Sequence, residues 1–272
     1  MKWNEYYLWL ILISMVVLFC EMIRPWRKDQ KLIRKNIVQD IFWLIFNGHV
    51  FGIFFAYFSN SLVLYFNEIV SSISITVPEQ VELISKQSFL VQIVLFIVIK
   101  DFMEWNIHRL LHRNAFLWEF HKLHHSIVEM DWIGNMRFHW MEIIIYKSIV
   151  YLPLAFLGVS WEVLLVGAIA STLIGHLNHS NLKISWGPLR YLLNSPKMHI
   201  WHHDIVIHHT VGDHGRSGQN FGIIFSIWDW LFQTAYWPEG LEGPETIGFK
   251  DHEVFPENIF LRLIYPLFQK KK

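Results

Sequence analysis

The sequence lacks several features that soluble, secreted or nucleic-acid-binding proteins have. Its single cysteine, Cys20, lies in an apolar run, so neither a disulfide framework nor a thiolate metal site can form within the chain. The 23 basic and 23 acidic residues leave no formal net charge at pH 7, so no nucleic-acid partner is expected. The first apolar run has no basic region before it and no small-residue cleavage site after it, which predicts a retained anchor.

Apolar residues are abundant instead. Of 272 residues, 53% are hydrophobic and 17% aromatic, and the mean hydropathy of +0.29 is typical of a membrane protein. A membrane-spanning helix needs about 20 mostly apolar residues. Five apolar stretches approach that length: Tyr6–Ile23, Ile37–Phe58, Ser88–Trp105, Met141–Leu157 and Trp161–Leu177. The short break at Gly158–Ser160 predicts a helical hairpin, so we expect an all-α polytopic membrane bundle of about four to five spanning or hairpin helices.

Basic residues predict how these helices are oriented. Short loops rich in lysine and arginine stay in the cytoplasm. The loop Ser59–Gln87 contains Lys86 as its only basic residue, so we expect it to face outward. Residues 108–139 and 176–203 are then expected on one cytoplasmic face, as a helical His-rich cap. The basic residues that orient the first stretch follow it directly: Arg24, Arg27, Lys28, Lys31, Arg34 and Lys35.

Three regions follow from this reading. Residues 1–87 are predicted to hold the N-terminal transmembrane helices and the outer loop. Residues 88–240 are predicted to form the domain that contains the histidine-rich segments, and residues 241–272 a cytoplasmic C-terminal tail that ends in Lys270–Lys272.

The sixteen histidines have an unusual spacing. His108 and His112 are four residues apart, which places them on one face of a helix. Ser195 and Pro196 predict a helix start, because serine caps and proline favours the first turn. The pattern H-x-x-H-H occurs twice, at His121, His124 and His125, and at His199, His202 and His203. Further candidates are His139, His176 and His179.

This histidine set predicts a metal centre. Neutral imidazole is a good ligand for iron, zinc, copper or nickel, and one ion accepts about four to six ligands. More histidines converge than one ion can use, so two ions are predicted, and nearby carboxylates could orient the rings. The candidate carboxylates are Asp101, Glu142 and Asp204. The remaining histidines are expected in helix contacts or on the surface: His49, His208, His209, His214 and His252.

These motifs resemble those of the fatty acid hydroxylase/sterol desaturase superfamily, in order, from about residue 90 to 240. The resemblance rests on Asp101–His112, Leu117–Ser126, Arg137–His139, Ser195–His203, Asn220–Gly222 and Trp228–Thr234. It implies a membrane-bound non-haem di-iron oxygenase that uses O2 to hydroxylate or desaturate a lipid such as an acyl chain or a sterol. Gln233 stands where the family often has glycine, which bears on loop geometry and leaves the metal prediction intact.

The resemblance also implies the ligands and partners. Its motifs place iron ligands at His108, His112, His121, His124, His125, His199, His202 and His203, and give intermediate positions to His139, His176 and His179. No further catalytic residue is implied. The substrate would be a membrane lipid, and because no flavin or cytochrome-like motif is present, a separate electron-donor protein is expected. The location would be a bacterial inner membrane or the endoplasmic reticulum, with the histidines on the cytoplasmic side.

Two other classes compete with this interpretation. A metal transporter should have ionisable residues at mid-membrane on several spans, where only His49 and Lys147 are candidates. A membrane zinc hydrolase should have a catalytic glutamate beside its ligands, as in H-E-x-x-H, and the sequence has no such motif.

Overall fold

The structure is a computed structural model that describes residues 3–51, 68, 72, 84, 86–156, 159–208 and 218–267. Several predictions fall outside these residues: most of the outer loop Ser59–Gln87, the second half of the stretch Ile37–Phe58, the loop histidines His209 and His214, and the tail Lys270–Lys272.

Within the described residues the protein is all-α, as predicted, and backbone pairing is limited to isolated bridges such as Leu193–Phe225. The α-helices are α1 (Trp3–Ile23), α2 (Ile37–Ile45), α3 (Phe89–Arg113), α4 (Ala115–His125), α5 (Trp140–Phe156), α6 (Trp161–His179), α7 (Pro196–His202), α8 (Ile227–Leu231) and α9 (Ile259–Ile264). A π-helical turn continues α2 over Phe46–Val50, and short 3-10 helices cover Trp132–Met136, Gly187–Tyr191 and His252–Val254.

One described helix is long and apolar enough to cross a membrane. Its apolar segment, Tyr6–Ile23 in α1, has 18 residues and a mean hydropathy of 2.1. A shorter apolar helix covers Ile37–Gly48. The predicted third span coincides with part of α3, in which Lys100, Asp101 and Glu104 are buried. The predicted hairpin coincides with α5 and α6.

Helices α3, α5 and α6 share a core. Its buried residues are Phe96, Ile107, Leu111, Val150 and Val163. A Cβ atom added at Gly167 of α6 would lie 2.1 Å from a ring carbon of Phe96 in α3. Helices α3 and α6 therefore approach too closely at this point for any side chain larger than that of glycine.

The carboxyl-terminal ends of α1 and α6 meet. The Glu21 carboxylate near the end of α1 accepts hydrogen bonds from the backbone N–H groups of Trp132 and Asn181, at 3.0 and 2.6 Å. The backbone N–H of Trp26 donates to the carbonyl of Asn181 at 2.8 Å. Because α6 ends at His179, these contacts place the end of α1 beside the histidine region.

A buried ionic cluster supports the segment that follows α4. Asp40 forms an ion pair with Arg34 at 2.6 Å and accepts a hydrogen bond from Arg137 at 2.6 Å. Arg34 also donates two hydrogen bonds to Asp131, at 2.6 and 2.7 Å. Arg137 donates to the carbonyl of Ser126 at 3.0 Å. We call these residues the arginine–aspartate cluster: Arg34, Asp40, Asp131 and Arg137. It ties α2 to the residue that follows His125.

Candidate metal centre

Four helices present histidines to one buried region. Helix α3 ends with His108 and His112 on one face, and α6 ends at His179. Helix α4 begins at a cap in which the Asn114 side chain accepts from the N–H groups of Phe116 and Leu117. Helix α7 begins as predicted, with Ser195 accepting from the N–H of Met198 at 3.2 Å and Pro196 in the first turn. Helix α4 contributes His121, His124 and His125, and α7 with the residue after it contributes His199, His202 and His203.

These histidines form two groups. Within each group, one ring nitrogen per residue lies within 4.8 Å of the corresponding nitrogens of all the others. The first group is His108, His112, His121, His125 and His202. The second group is His124, His179, His199 and His203.

Each H-x-x-H-H pattern contributes to both groups. In α4, His124 belongs to the second group and His125 to the first. At the end of α7, His202 belongs to the first group and His203 to the second. Adjacent helical residues point about 100° apart, so a pair of neighbouring histidines can reach two metal positions. This geometry explains why both patterns end in two consecutive histidines.

All nine rings are buried, with at most 7% of any residue exposed. Burial lowers the pKa of His108 and of His179 to about 4. Burial, followed by the neighbouring imidazoles, lowers the pKa of His112 and His125 well below the usual range. The rings are therefore neutral at pH 7, which is the form that binds a metal.

Backbone carbonyls fix the proton position on three rings. The Nδ1 atoms of His108, His202 and His179 lie 2.8, 2.8 and 2.9 Å from the carbonyl oxygens of Phe221, Gln219 and Gly175, respectively. Because a carbonyl only accepts, each Nδ1 must carry the hydrogen. The Nε2 atom of each neutral ring then has a free lone pair directed into its group.

The contacts between Nε2 atoms fit bound cations. The Nε2 atom of His125 lies 3.1 Å from those of His112 and His202, and the Nε2 atom of His179 lies 3.1 Å from that of His199 and 3.2 Å from that of His124. Nitrogens bound at right angles to one ion, each about 2.1 Å from it, are about 3.0 Å apart.

Two further Nε2 atoms, of His108 and His121, are buried and have no hydrogen-bond partner among the described residues. Converging lone pairs repel each other unless a cation lies between them. The donor set therefore fits a metal ion in each group.

The structure does not bring His139 and His176 into either group. The Nε2 atom of His139 lies 3.0 Å from the carbonyl of Leu263. The ring of His176 is held between Ser14 at 3.2 Å and Asn135 at 3.0 Å. Both rings are thus engaged by protein groups.

Of the histidines that were expected not to bind metal, His208 is exposed and pairs with Asp204 at 2.7 Å, while His252 is partly buried.

One of the three candidate carboxylates contacts a histidine of the two groups. Glu142 lies 2.9 Å from Nδ1 of His121, and both residues are buried. Asp101 instead accepts hydrogen bonds from the backbone of Ile224 and Phe225 and from the indole of Trp228. Asp204 pairs with the exposed His208, so it does not orient a buried ring.

Sequence reasoning missed the backbone groups that orient the rings. The carbonyls of Gln219 and Phe221 bind His202 and His108, although neither side chain suggests this role. The sequence feature nearest to these carbonyls is the motif Asn220–Gly222, which supports the family resemblance but does not itself indicate contacts to histidine rings. A backbone carbonyl is present at every position, so sequence alone cannot identify the two that matter.

A cavity of about 730 Å³ reaches the first group. His112, His125 and His202 line it, and Trp118 and Phe249 provide apolar walls. Charged residues also line it: Glu119, Lys122, Asp204, Lys250 and Asp251. The first group is therefore reached through a cavity with both apolar and charged walls.

Comparison with known proteins identifies the family. A family model described as fatty acid hydroxylase matches residues 93–234, more than half of the chain. The chain belongs to the fatty acid hydroxylase family. The match contains the nine grouped histidines, the loop that orients two of them and the Trp228–Thr234 motif.

Three relatives of this fatty acid hydroxylase family member illustrate its range. It is 35% identical over 166 residues to an ornithine lipid hydroxylase of Rhizobium tropici. The aligned region covers 58% of this chain and 48% of the relative. It is 27% identical over 172 residues to an alkylglycerol monooxygenase of Caenorhabditis elegans (60% and 30% covered). It is 25% identical over 146 residues to a very-long-chain aldehyde decarbonylase of Oryza sativa subsp. indica (49% and 22% covered).

The matched region spans about half of the first relative and less of the other two. No solved structure matches the chain significantly.

Proposed function

We propose that this protein is an O2-dependent lipid hydroxylase that binds one iron ion in each histidine group. The observation that carries the proposal is the convergence of nine buried imidazoles into two groups whose free lone pairs face inward. The proposed ligands are the nine grouped histidines. His139 and His176, which the family resemblance also suggested, are proposed to support the surrounding helices.

Iron and oxygen are proposed from the donor chemistry and the family. Imidazole alone would also accept zinc or copper. A hydrolytic zinc site commonly has three protein ligands and an adjacent general base. Here five and four imidazoles compose the groups. The relatives are named as a hydroxylase, a monooxygenase and a decarbonylase. Two bound iron ions would supply the redox chemistry that activates O2.

The chain's own residues would bind and orient the substrate. Hydroxylation takes up O2, two electrons and two protons, and releases one water molecule for each C–H bond converted to C–OH. The electrons are proposed to come from a separate donor protein. The cavity beside His112, His125 and His202 would hold the lipid carbon next to the first group. Trp118 and Phe249 would limit its contact with water.

A direct test is the metal content of purified protein. We expect two iron ions per chain, a spectroscopic signal from a coupled pair, and turnover of a lipid that requires O2 and a reductant. A hydrolase would instead retain one zinc ion and act without O2. A metal transporter would move ions across vesicles and would form no hydroxylated lipid.

The protein is also proposed to be a multi-pass integral membrane protein with its histidines on the cytoplasmic side, in a bacterial inner membrane or the endoplasmic reticulum. In support, α1 has a broad exposed apolar face that includes Leu8, Met15 and Phe19, with exposed fractions of 66%, 62% and 62%. Exposed apolar residues also follow one side of α3, at Leu90 and Val94. Such surfaces are stable in contact with lipid and costly in water.

The single cysteine allows this placement to be measured. Cys20 is exposed on α1, near the end of the apolar segment. A spin label at Cys20 in proteoliposomes is expected to relax faster with lipid-soluble O2 than with a water-soluble nickel complex. The matched control is Glu253→Cys in a Cys20→Ala background, because Glu253 is exposed in a 3-10 helix far along the chain. Equal water accessibility at both labels would contradict a bilayer position for α1.

A further inference from the structure

The two histidine groups differ in how firmly the protein holds their rings. In the first group, His108 and His202 are bound at Nδ1 by carbonyls of one loop, and His121 is bound by Glu142. In the second group, the Nδ1 atoms of His124, His199 and His203 have no hydrogen-bond partner among the described residues.

The remaining ring of the second group, that of His179, is held by Gly175 of its own helix. Three of the five rings in the first group are thus held at Nδ1 by other parts of the chain, whereas one of the four rings in the second group is held at Nδ1, by its own helix.

The loop that orients the first group is held by Asp229. One carboxylate oxygen of Asp229 accepts from the backbone N–H of Phe221 at 2.9 Å, and the other accepts from the backbone N–H of Gly222 at 2.7 Å. Trp105 and Thr234 donate to the same carboxylate at 3.0 and 2.6 Å. Asp229 is fully buried, and these four donors satisfy its charge.

Two features show that the loop Gln219–Gly222 has one fixed backbone conformation beside Asp229. A Cβ atom at Gly222 would lie 2.4 Å from the carbonyl oxygen of Phe225 and 3.0 Å from the Asp229 carboxylate, so only glycine fits. Asn220 has a φ of 56° and binds the backbone of Met198 and Tyr236 through its side chain. The carbonyls on either side of Asn220 therefore point at His202 and His108 from a fixed backbone.

We propose that Asp229 is a positioning residue that builds the first metal position in advance, so that the two positions are unequal and the first one fills before the second. This rests on the proposed function only in that both groups bind metal. The Asp229 carboxylate accepts its hydrogen bonds from the loop, Trp105 and Thr234, and none from a histidine of the two groups. It acts through the loop Gln219–Gly222, whose carbonyls fix the ring protons. Outer partners of this kind typically change metal affinity by about 10–100-fold.

The test is a Co²⁺ titration of metal-free protein, followed by visible absorption. Co²⁺ bound to imidazoles absorbs in the visible range, and the variants His121→Ala and His199→Ala assign one signal to the five-ligand group and the other to the four-ligand group. Wild-type protein is expected to show two steps, with the five-ligand signal appearing first. A single step with both signals rising together would overturn the proposal without any variant being needed.

Asp229→Asn should separate positioning from general stability. The amide places an NH2 group against one of the backbone N–H donors, so the loop carbonyls lose their fixed direction. We expect the five-ligand signal to need at least about tenfold more Co²⁺, while the four-ligand signal shifts little. Thr234→Val is the matched control, because it removes one donor to the same carboxylate and keeps both loop contacts. Equal weakening of both signals in Asp229→Asn would indicate a structural role alone.

This result is distinguishable from failure of the proposed function. Metal binding in two ordered steps without O2-dependent turnover would keep the positioning role and reject the hydroxylase. Turnover with two metal positions that fill together would keep the hydroxylase and reject the positioning role of Asp229.

Discussion

Replacing His202 by alanine is expected to reduce lipid hydroxylation by more than about 100-fold, since losing even an outer partner of a metal ligand costs about 10–100-fold. His202 contributes its Nε2 atom to the first group, 3.1 Å from that of His125. His124→Ala is expected to have the same effect through the second group. The measurement is turnover, together with iron per chain, which should fall from two toward one in each variant.

Two other histidines give matched controls for this prediction. His139 and His176 are also buried, but the structure places them outside both groups. His139→Ala and His176→Ala are therefore expected to keep two iron ions per chain, even if stability falls. Loss of an ion in either variant would add that residue to the ligand set. Full iron content and activity in His124→Ala and His202→Ala would exclude those two positions.

Arg137→Met is expected to lower the free energy of unfolding by about 3–5 kcal/mol, the usual cost of breaking a buried ion pair. Arg137 and Asp40 are both fully buried. Without the guanidinium, Asp40 keeps Arg34 as its one ionic partner among the described residues, and the carbonyl of Ser126 loses a donor. The check is denaturant unfolding in detergent, followed by tryptophan fluorescence.

Lys35→Met provides the surface comparison. Lys35 and Glu257 form an ion pair with side chains that are 78% and 80% exposed. Such pairs contribute little to stability, so no change outside error is expected. If Arg137→Met were equally neutral, the arginine–aspartate cluster would have no stabilising role. A partial recovery in the double variant Asp40→Asn/Arg137→Met would indicate that the loss comes from the Asp40 carboxylate that Arg137 no longer pairs.

The sequence predicted the helices and the histidine sets for clear physical reasons. Apolar stretches near bilayer length predicted α1, α5 and α6, and the Ser195–Pro196 pair predicted the start of α7. Spacings of three and four residues predicted shared helical faces. The number of membrane spans stays a prediction, because one described helix alone is long and apolar enough to cross.

Other parts of the site depend on tertiary contacts that spacing does not reveal. His176 and His179 are three residues apart on one helix, yet Asn135 and Ser14 hold the first while the second joins a group. Asp101 precedes the first histidine motif, but its partners lie more than a hundred residues later, at Ile224 and Phe225. Burial of Arg137 likewise depends on a partner from α2.

The alternation of neighbouring histidines between the groups has a mechanical consequence. His124 and His125 are joined by one peptide bond, as are His202 and His203, and each pair crosses from one group to the other. A rotation of either helix about its axis would therefore move one ring of each group at the same time. The separation of the two histidine groups is thus limited at two places by the length of one peptide unit and two side chains.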